Sequence, residues 1–501
     1  MAFRLYIKII FSTSALLSAP VIAISDFEAW KMQQQQGMQQ QKSEFQQYRD
    51  ARDREFTDFL KQQWKDVSLL HGFVRDENPK PVVMPVAKPE PVKVPVTQPL
   101  PKPIIPEPDI TPAIVKPEPV VIPPQPDKPA PVTVEIQKGS RARIDFFGTG
   151  VSFYYDPKLK QSLSARLNET AVSNFWSELS RADYEPLLSQ LDKQADALLL
   201  NDWGYALLVH KLSAAIYPSS SNRQALLTWF ILTKAGYRSR IAYSENKVYL
   251  LMPSRHQLYD TPFFTFDNQR YYAVSLDGTI HKPGRVYTYD GHYPGADRKL
   301  DMRLDNKATQ GEHVNTRNLR FEFAGNDYEI DVAYEKSRVD FLNTYPQLDL
   351  ELYFDSKVGN TTASPLLDQL SVAIEGMGEQ EAVNFLLRFV QTSLKYKTDE
   401  RQFGQENYLF PEETIYYPYS DCEDRSVLFA WLVRRLLGLE VVGLSYPGHV
   451  ATAVHLKQST GDYIVHEGKR FSVADPTYVN ARAGMTMPEY RNTRPDVIRI
   501  Q

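Results

Sequence analysis

Residues 417–456 read YPYSDCEDRSVLFAWLVRRLLGLEVVGLSYPGHVATAVHL, and the order of signals in this stretch decides the architecture. Asp421 is a good N-cap residue, with Asp424 three positions on in the first helical turn. Val427, Leu428, Trp431, Leu432 and Leu436 then recur on one helical face, and Gly438 ends the helix. Residues 440–446 read as a strand, Pro447-Gly448 as a turn, and His449 opens the next strand. Cys422 therefore sits in the first turn of a helix, where unpaired N–H groups and the helix dipole favour a thiolate. Asp421, Glu423 and Asp424 oppose this by raising the thiol pKa. A nearby imidazolium is the cation expected to offset them.

His449 lies 27 positions after Cys422, and Asp475 in VADPTY lies 26 further on, at the end of another strand-like segment. Adjacent antiparallel strands bring such a carboxylate beside the imidazole, which it orients while the imidazole faces the thiol. The segments SDCEDRSVLFAWLVRRLLGL, YPGHVATAV and ADPTY resemble the transglutaminase-like superfamily, a papain-related fold, and within it the exported bacterial cysteine proteinase type. The resemblance covers about residues 365–490. It implies Cys422 as nucleophile, His449 as general base and then acid, and Asp475 as orienter, acting on a protein or peptide amide through a thioester. Members include transamidating enzymes, peptidases and inactive relatives. It also implies an aromatic residue or Gln upstream of the Cys that helps hold the oxyanion, for which Tyr417, Tyr419 and Gln405 are candidates. The backbone N–H of Cys422 is a further donor. His455 and His466 read as strand or surface residues. Glu423 and Asp424 read as helix-start charges, with Arg425, Arg434 and Arg435 as possible ion-pair partners of Asp424.

A shift of 202 positions gives an internal echo. SSSNRQALLTWFILTKAGYRSRIAYSENKVYLL aligns without gaps to the Cys422 stretch, with Trp229 on Trp431, Leu226 on Leu428 and Gly236 on Gly438. Ser220 then replaces the cysteine and Lys247 the histidine, and Asp277 or Ser275 stands near Asp475. This reads as a second unit that has lost its thiol and imidazole. The alternative is a chance match of two amphipathic helix–strand units.

Fold class is α+β. The expected organisation is a signal peptide at 1–23, a Gln-rich amphipathic helical segment at 24–77 and a Pro-rich linker at 78–133. The degenerate transglutaminase-like domain at 134–290, a β-rich connection at 291–360 and the catalytic domain at 361–501 follow. Arg4 and Lys8, the apolar run from Ile9 to Leu17, and Val21 and Ala23 before the cleavage site support export, with the periplasm as the expected compartment and an uncleaved anchor as the alternative. Residues 26–70 offer a face for an envelope partner or self-association, or for packing downstream. Of 35 prolines, 19 lie from Pro79 to Pro131, a tract that favours extended polyproline II without internal hydrogen bonds and reads as a spacer or a disordered linker.

The 501 residues carry a net charge of −4, which argues against a generally basic nucleic-acid binder. One cysteine excludes an intramolecular disulfide and any multi-cysteine metal site. The sequence has no P-loop, no GxGxxG after a strand, no HExxH and no EF-hand loop, so no cofactor and no metal are expected.

Overall fold

The computed structural model describes residues 26–62, 64–68, 72–73, 80, 83–87, 139–279, 284–304, 314–459 and 461–500. The segment read as a signal peptide and the Pro-rich tract beyond residue 87 lie outside them. The chain divides into two compact units, 1–56 and 57–501, and mixes helix with sheet, as its two hydrophobic periods require.

Among the described residues the first unit is one helix, the body of α1 (Asp26–Leu60), on which Trp30, Phe45 and Tyr48 are exposed. The apolar period expected to carry this helix through Trp64 and Val67 stops sooner. Trp64–Ser68 is instead a strand, β1, antiparallel to Arg285–Tyr289. Trp64 packs its indole against Tyr243 and Tyr289, each 5.3 Å away between ring centres. Cross-strand aromatic contacts of this kind reward a strand over another helical turn.

The second unit contains two arrangements built alike. In the first, the hairpin β2 (Ser140–Phe146) and β3 (Thr149–Tyr155) precedes four helices, α2 (Glu169–Ser180), α3 (Glu185–Ala197), α4 (Asp202–Ile216) and α5 (Ser221–Lys234). The strands β4 (Arg240–Ser244), β5 (Lys247–Met252), β6 (Phe263–Phe266), β7 (Gln269–Val274) and β8 (Arg285–Tyr289) follow. With β1 they form a sheet ordered β1-β8-β4-β5-β7-β6. In the second, the hairpin β9 (Val314–Phe323) and β10 (Asn326–Glu335) precedes α6 (Lys336–Leu342), α7 (Leu350–Phe354), α8 (Asn360–Ala373) and α9 (Glu379–Ser393). Short elements come next: β11 (Lys395–Tyr396), α10 (Asp399–Phe403), α11 (Pro411–Tyr416) and β12 (Tyr419–Ser420). Then come α12 (Cys422–Leu437), β13 (Val441–Tyr446), β14 (His449–Val454), β15 (Tyr463–His466), β16 (Lys469–Ala474) and β17 (Asp496–Ile498). Their sheet runs β15-β16-β14-β13-β17.

The echo in the sequence holds pair by pair. Ser244 faces Lys247 across the β4–β5 turn as Tyr446 faces His449 across the β13–β14 turn. Leu250 faces Val274 as Thr452 faces Ala474, and Phe263 faces Tyr272 as Tyr463 faces Ser472. The first sheet buries Ala242, Leu251, Tyr271 and Ala273, and the second buries Leu444, Ala453, Phe471 and Val473 at the matching places. A slip of one residue would turn each of these sets to the opposite face. The hairpins correspond too: α3 packs on β3 and α4 on β2, as α8 packs on β10 and α9 on β9.

Two expectations change here. The connection at 291–360, expected to be β-rich, is helical over Leu350–Phe354, where Leu350, Leu352, Tyr353 and Phe354 are all buried. A run this short carries no period that separates strand from helix. The Pro-rich segment is not wholly a free linker. Residues 85–87 pair with the C-terminal part of the chain: Ala87 N–H donates to the carbonyl of Val479 at 2.8 Å, and Val479 N–H donates to that of Pro85 at 3.0 Å. Pro85 lacks an N–H but still accepts, so a proline beside a small apolar residue can dock as an edge strand. Among the described residues no helix is long and apolar enough to cross a membrane.

Candidate functional site

Helix α12 starts where the sequence says it should. Asp421 stands at the N-cap with extended backbone, and the Asp424 side chain accepts from Asp421 N–H at 3.2 Å. Gly438 ends the helix at φ 64°, where a Cβ would be strained. Cys422 is thereby the first residue of a buried helix. Arg425, one turn on, fixes the helix in place. Its guanidinium donates to the carbonyls of Val390 (3.1 Å), Gln391 (3.2 Å) and Leu394 (2.8 Å) at the end of α9. Ser426 Oγ donates to Val450 O at 3.1 Å and so ties this end of α12 to β14.

His449 and Asp475 meet as the strand register dictates. Asp475 follows β16 directly, and its Oδ2 lies 2.8 Å from His449 Nε2. Its Oδ1 accepts from the N–H groups of Thr477 (2.9 Å) and Tyr478 (3.2 Å). Gln391 Nε2 donates to the carbonyls of Asp475, Tyr478 and Ala481. The carboxylate is thus oriented on both oxygens and from its own backbone. The imidazole is stacked on Tyr490, with ring centres 5.2 Å apart and planes 11° apart. Its Nδ1 is buried and makes no hydrogen bond among the described residues.

The thiol is not in the state the sequence suggested. Cys422 is fully buried, and its Sγ donates to Glu423 Oε2 at 2.9 Å. Burial, reinforced by the charge of Glu423, pushes its pKa well above the ordinary thiol range. The cation set against the acids is Lys80, from the Pro-rich segment. Its ammonium contacts Glu423 and Glu406 and lies 3.0 Å from Asp421 Oδ2 and 3.9 Å from Asp399 Oδ2. Burial works against its charge, but the carboxylates outweigh burial and hold the ammonium protonated. Burial and the neighbouring negative charges keep Asp399 and Asp421 well above the carboxylate range. Burial likewise lifts Glu406 and Asp424 to about 7. Glu423, which burial would also raise, is instead lowered to about 2 by Lys80. The cluster therefore centres on one ion pair, Lys80 with Glu423. Oxygens of Asp399, Asp421 and Glu423 lie within 4.8 Å of one another, close enough to share one cation, and the ammonium is in contact with all three carboxylates.

The arginines proposed as partners of Asp424 are not its partners. Arg425 serves backbone carbonyls, Arg434 approaches Asp355 at 3.9 Å, and Asp424 instead accepts from Leu409 N–H at 2.9 Å. The three oxyanion candidates separate. Tyr417 donates its hydroxyl to Asn343. Tyr419 lies on β12 with the Lys397 ammonium over its ring. Gln405 lines a different cleft, with Trp203, Leu258 and Tyr345.

In the first arrangement Ser220 turns back as the N-cap of α5 and accepts from Arg223 N–H. Lys247 opens β5 at the place of His449. The register puts Ser275, not Asp277, directly after β7 at the place of Asp475, and Asp277 accepts from Ser275 Oγ at 2.8 Å. Lys247, Ser275, Asp277 and His210 line one cleft. Lys80, Asp399, Glu406, Gln391 and Tyr490 were not anticipated at the Cys422 site. Lys80 carries no local mark, being one of several lysines spaced through the proline tract. No family model, curated protein or solved structure matches this chain.

Proposed function

We propose that Cys422, His449 and Asp475 form the triad of a transglutaminase-like cysteine hydrolase that cleaves protein or peptide amides. The observation that carries this reading is the buried His449–Asp475 pair, whose remaining ring nitrogen makes no hydrogen bond among the described residues, on the strand tied to the helix that begins with the only cysteine. In the reaction, Cys422 passes its proton to His449 Nδ1 and the thiolate attacks the amide carbonyl. The first-turn N–H groups of α12 face the developing oxyanion. The imidazolium, held by Asp475, returns the proton to the departing amine and leaves a thioester. His449 then takes a proton from water as it attacks the thioester carbonyl and passes it to the departing Cys422 sulfur, so the thiol is restored and an acid is released. An amine in place of water would give a transamidase, and hydrolysis is the favoured outcome. Export to the periplasm accords with the N-terminal sequence.

A non-catalytic scaffold of an envelope complex is the second reading. The burial of the thiol and its bond to Glu423 favour it. The experiment is peptide-library cleavage with mass analysis of the Cys422 peptide for an acyl adduct. Cys422→Ala and His449→Ala are expected to abolish both cleavage and adduct. Cleavage at the wild-type rate in Cys422→Ala would overturn the triad.

A further inference from the structure

Residues 80 and 83–87 touch both sides of the site. At one end, Lys80 places its ammonium among the carboxylates that flank Cys422. At the other, residues 85–87 pair in parallel with Val479, four positions after Asp475. Ala87 is buried, 1% exposed, against Tyr478, Ala481 and Met487. The lysine is separated from Asp421 by 341 positions in sequence, so the contact is tertiary and not a local accident of folding. Three recognition elements thus act on residues 80 and 83–87: an acidic pocket for a cation, a backbone edge, and a small apolar pocket. Addition of an extended peptide to a free edge, with alternate side chains read by pockets, is a general mode of peptide recognition.

We infer that this surface is a binding groove for extended, lysine-bearing peptides with a small apolar residue downstream, and that the chain's own segment occupies it and covers Cys422. The inference rests on the reading of Cys422 as a reactive centre, but its consequences for binding do not require turnover. The tethered segment competes at an effective concentration on the order of millimolar, so added peptide at micromolar concentration is excluded from the wild-type chain. Burial and then Glu423 raise the thiol pKa although Lys80 acts to lower it, so exclusion from solvent, more than the charge of the segment, keeps the thiol neutral and a poor nucleophile.

The test uses the full-length chain with Ala87→Asp, which puts a charge into the apolar pocket and expels the segment. Its iodoacetamide labelling at Cys422, the only thiol, is expected to rise at least tenfold over wild type. A fluorescent peptide with the sequence of residues 80–87, KPVVMPVA, should bind Ala87→Asp, slow its labelling again, and bind wild type at least tenfold more weakly. The same peptide with Gln in place of its Lys should bind at least tenfold more weakly to Ala87→Asp. Lys80→Gln in the full-length chain serves as the second release variant should Ala87→Asp fail to fold. Unchanged labelling in both variants, or no binding of the peptide to the released chain, would overturn the groove. Accelerated labelling and peptide binding, without cleavage of any peptide, would leave the groove standing and refute only the hydrolase.

Discussion

Arg425→Lys tests what holds the candidate nucleophile in place. Arg425 is fully buried, and its planar guanidinium serves three carbonyls at the end of α9, with the carbonyl of Ser420 a further 3.5 Å contact. These carbonyls lack helical partners of their own, since α9 ends at Ser393. Lysine keeps the charge but gathers its three donors on one nitrogen, which can replace Nη1 toward Val390 and Gln391 while Leu394 O and Ser420 O lose theirs, so up to two buried acceptors are left without this donor. At about 1–3 kcal/mol for each buried group left unsatisfied, the cost for both is about 2–6 kcal/mol, a large share of the ~5–15 kcal/mol that holds a typical domain. Hydrogen exchange of the α12 amides gives a local reading. A loss of about 4 kcal/mol should speed exchange through local opening roughly a thousandfold, and the apparent urea midpoint should fall. Exchange within a factor of about three of wild type would refute the argument that this guanidinium seats the helix.

Glu413→Gln should make the chain more stable at pH 8 and leave it unchanged near pH 4. Burial raises the Glu413 carboxyl to about 8, so between the unfolded value of 4.5 and about 8 the unfolded chain sheds a proton that the folded chain keeps. Wild-type stability falls over that window by as much as about 5 kcal/mol, at about 1.4 kcal/mol per pH unit, whereas glutamine has no proton to lose. Thermal melts at the two pH values measure this, and an equal difference at both would count against it. Gln391→Leu removes the amide that holds the Asp475, Tyr478 and Ala481 carbonyls. A loss of about 1–3 kcal/mol is expected, with a larger fall in peptide cleavage than in the amount of folded protein, and equal falls would mean a packing role alone.

The strongest signals in the sequence were those in which one local rule settles one local geometry. Asp421, Asp424 and Gly438 mark both ends of α12, and the Pro447-Gly448 turn sets the β13–β14 register that starts a strand at His449. The meeting of His449 with Asp475 needed one further step, the pairing of β14 with β16, which alternation and spacing also supplied. The repeat was legible because its gap-free offset preserves the side-chain period. It was less clear beyond Lys247, where two extra residues before β7 change the offset from 202 to 200 and put Ser275, not Asp277, at the place of Asp475. What stayed hidden depends on contacts far apart in the chain. Nothing near Lys80 announces four carboxylates, and Gln391 looks like one more polar position on an amphipathic helix until its three acceptors arrive from beyond β16. Trp64 and Val67 continued a helical period for a few residues, and only the edge of a sheet more than 200 positions away made them a strand.

The separation between Lys80 and its acidic partners also bears on the order of assembly. A chain made from its N-terminus has Lys80 in place long before Asp421 and Glu423 exist, and closing so long a loop is among the slower events of folding. β16 and the stretch that follows it, which carry Asp475 and Val479, come later still. The thiol environment therefore matures only when nearly the whole chain is available, and the segment that will lie beside it has been waiting since the start. A nascent chain of this kind need never pass through a stage in which the finished site stands open while its cover is still to be made.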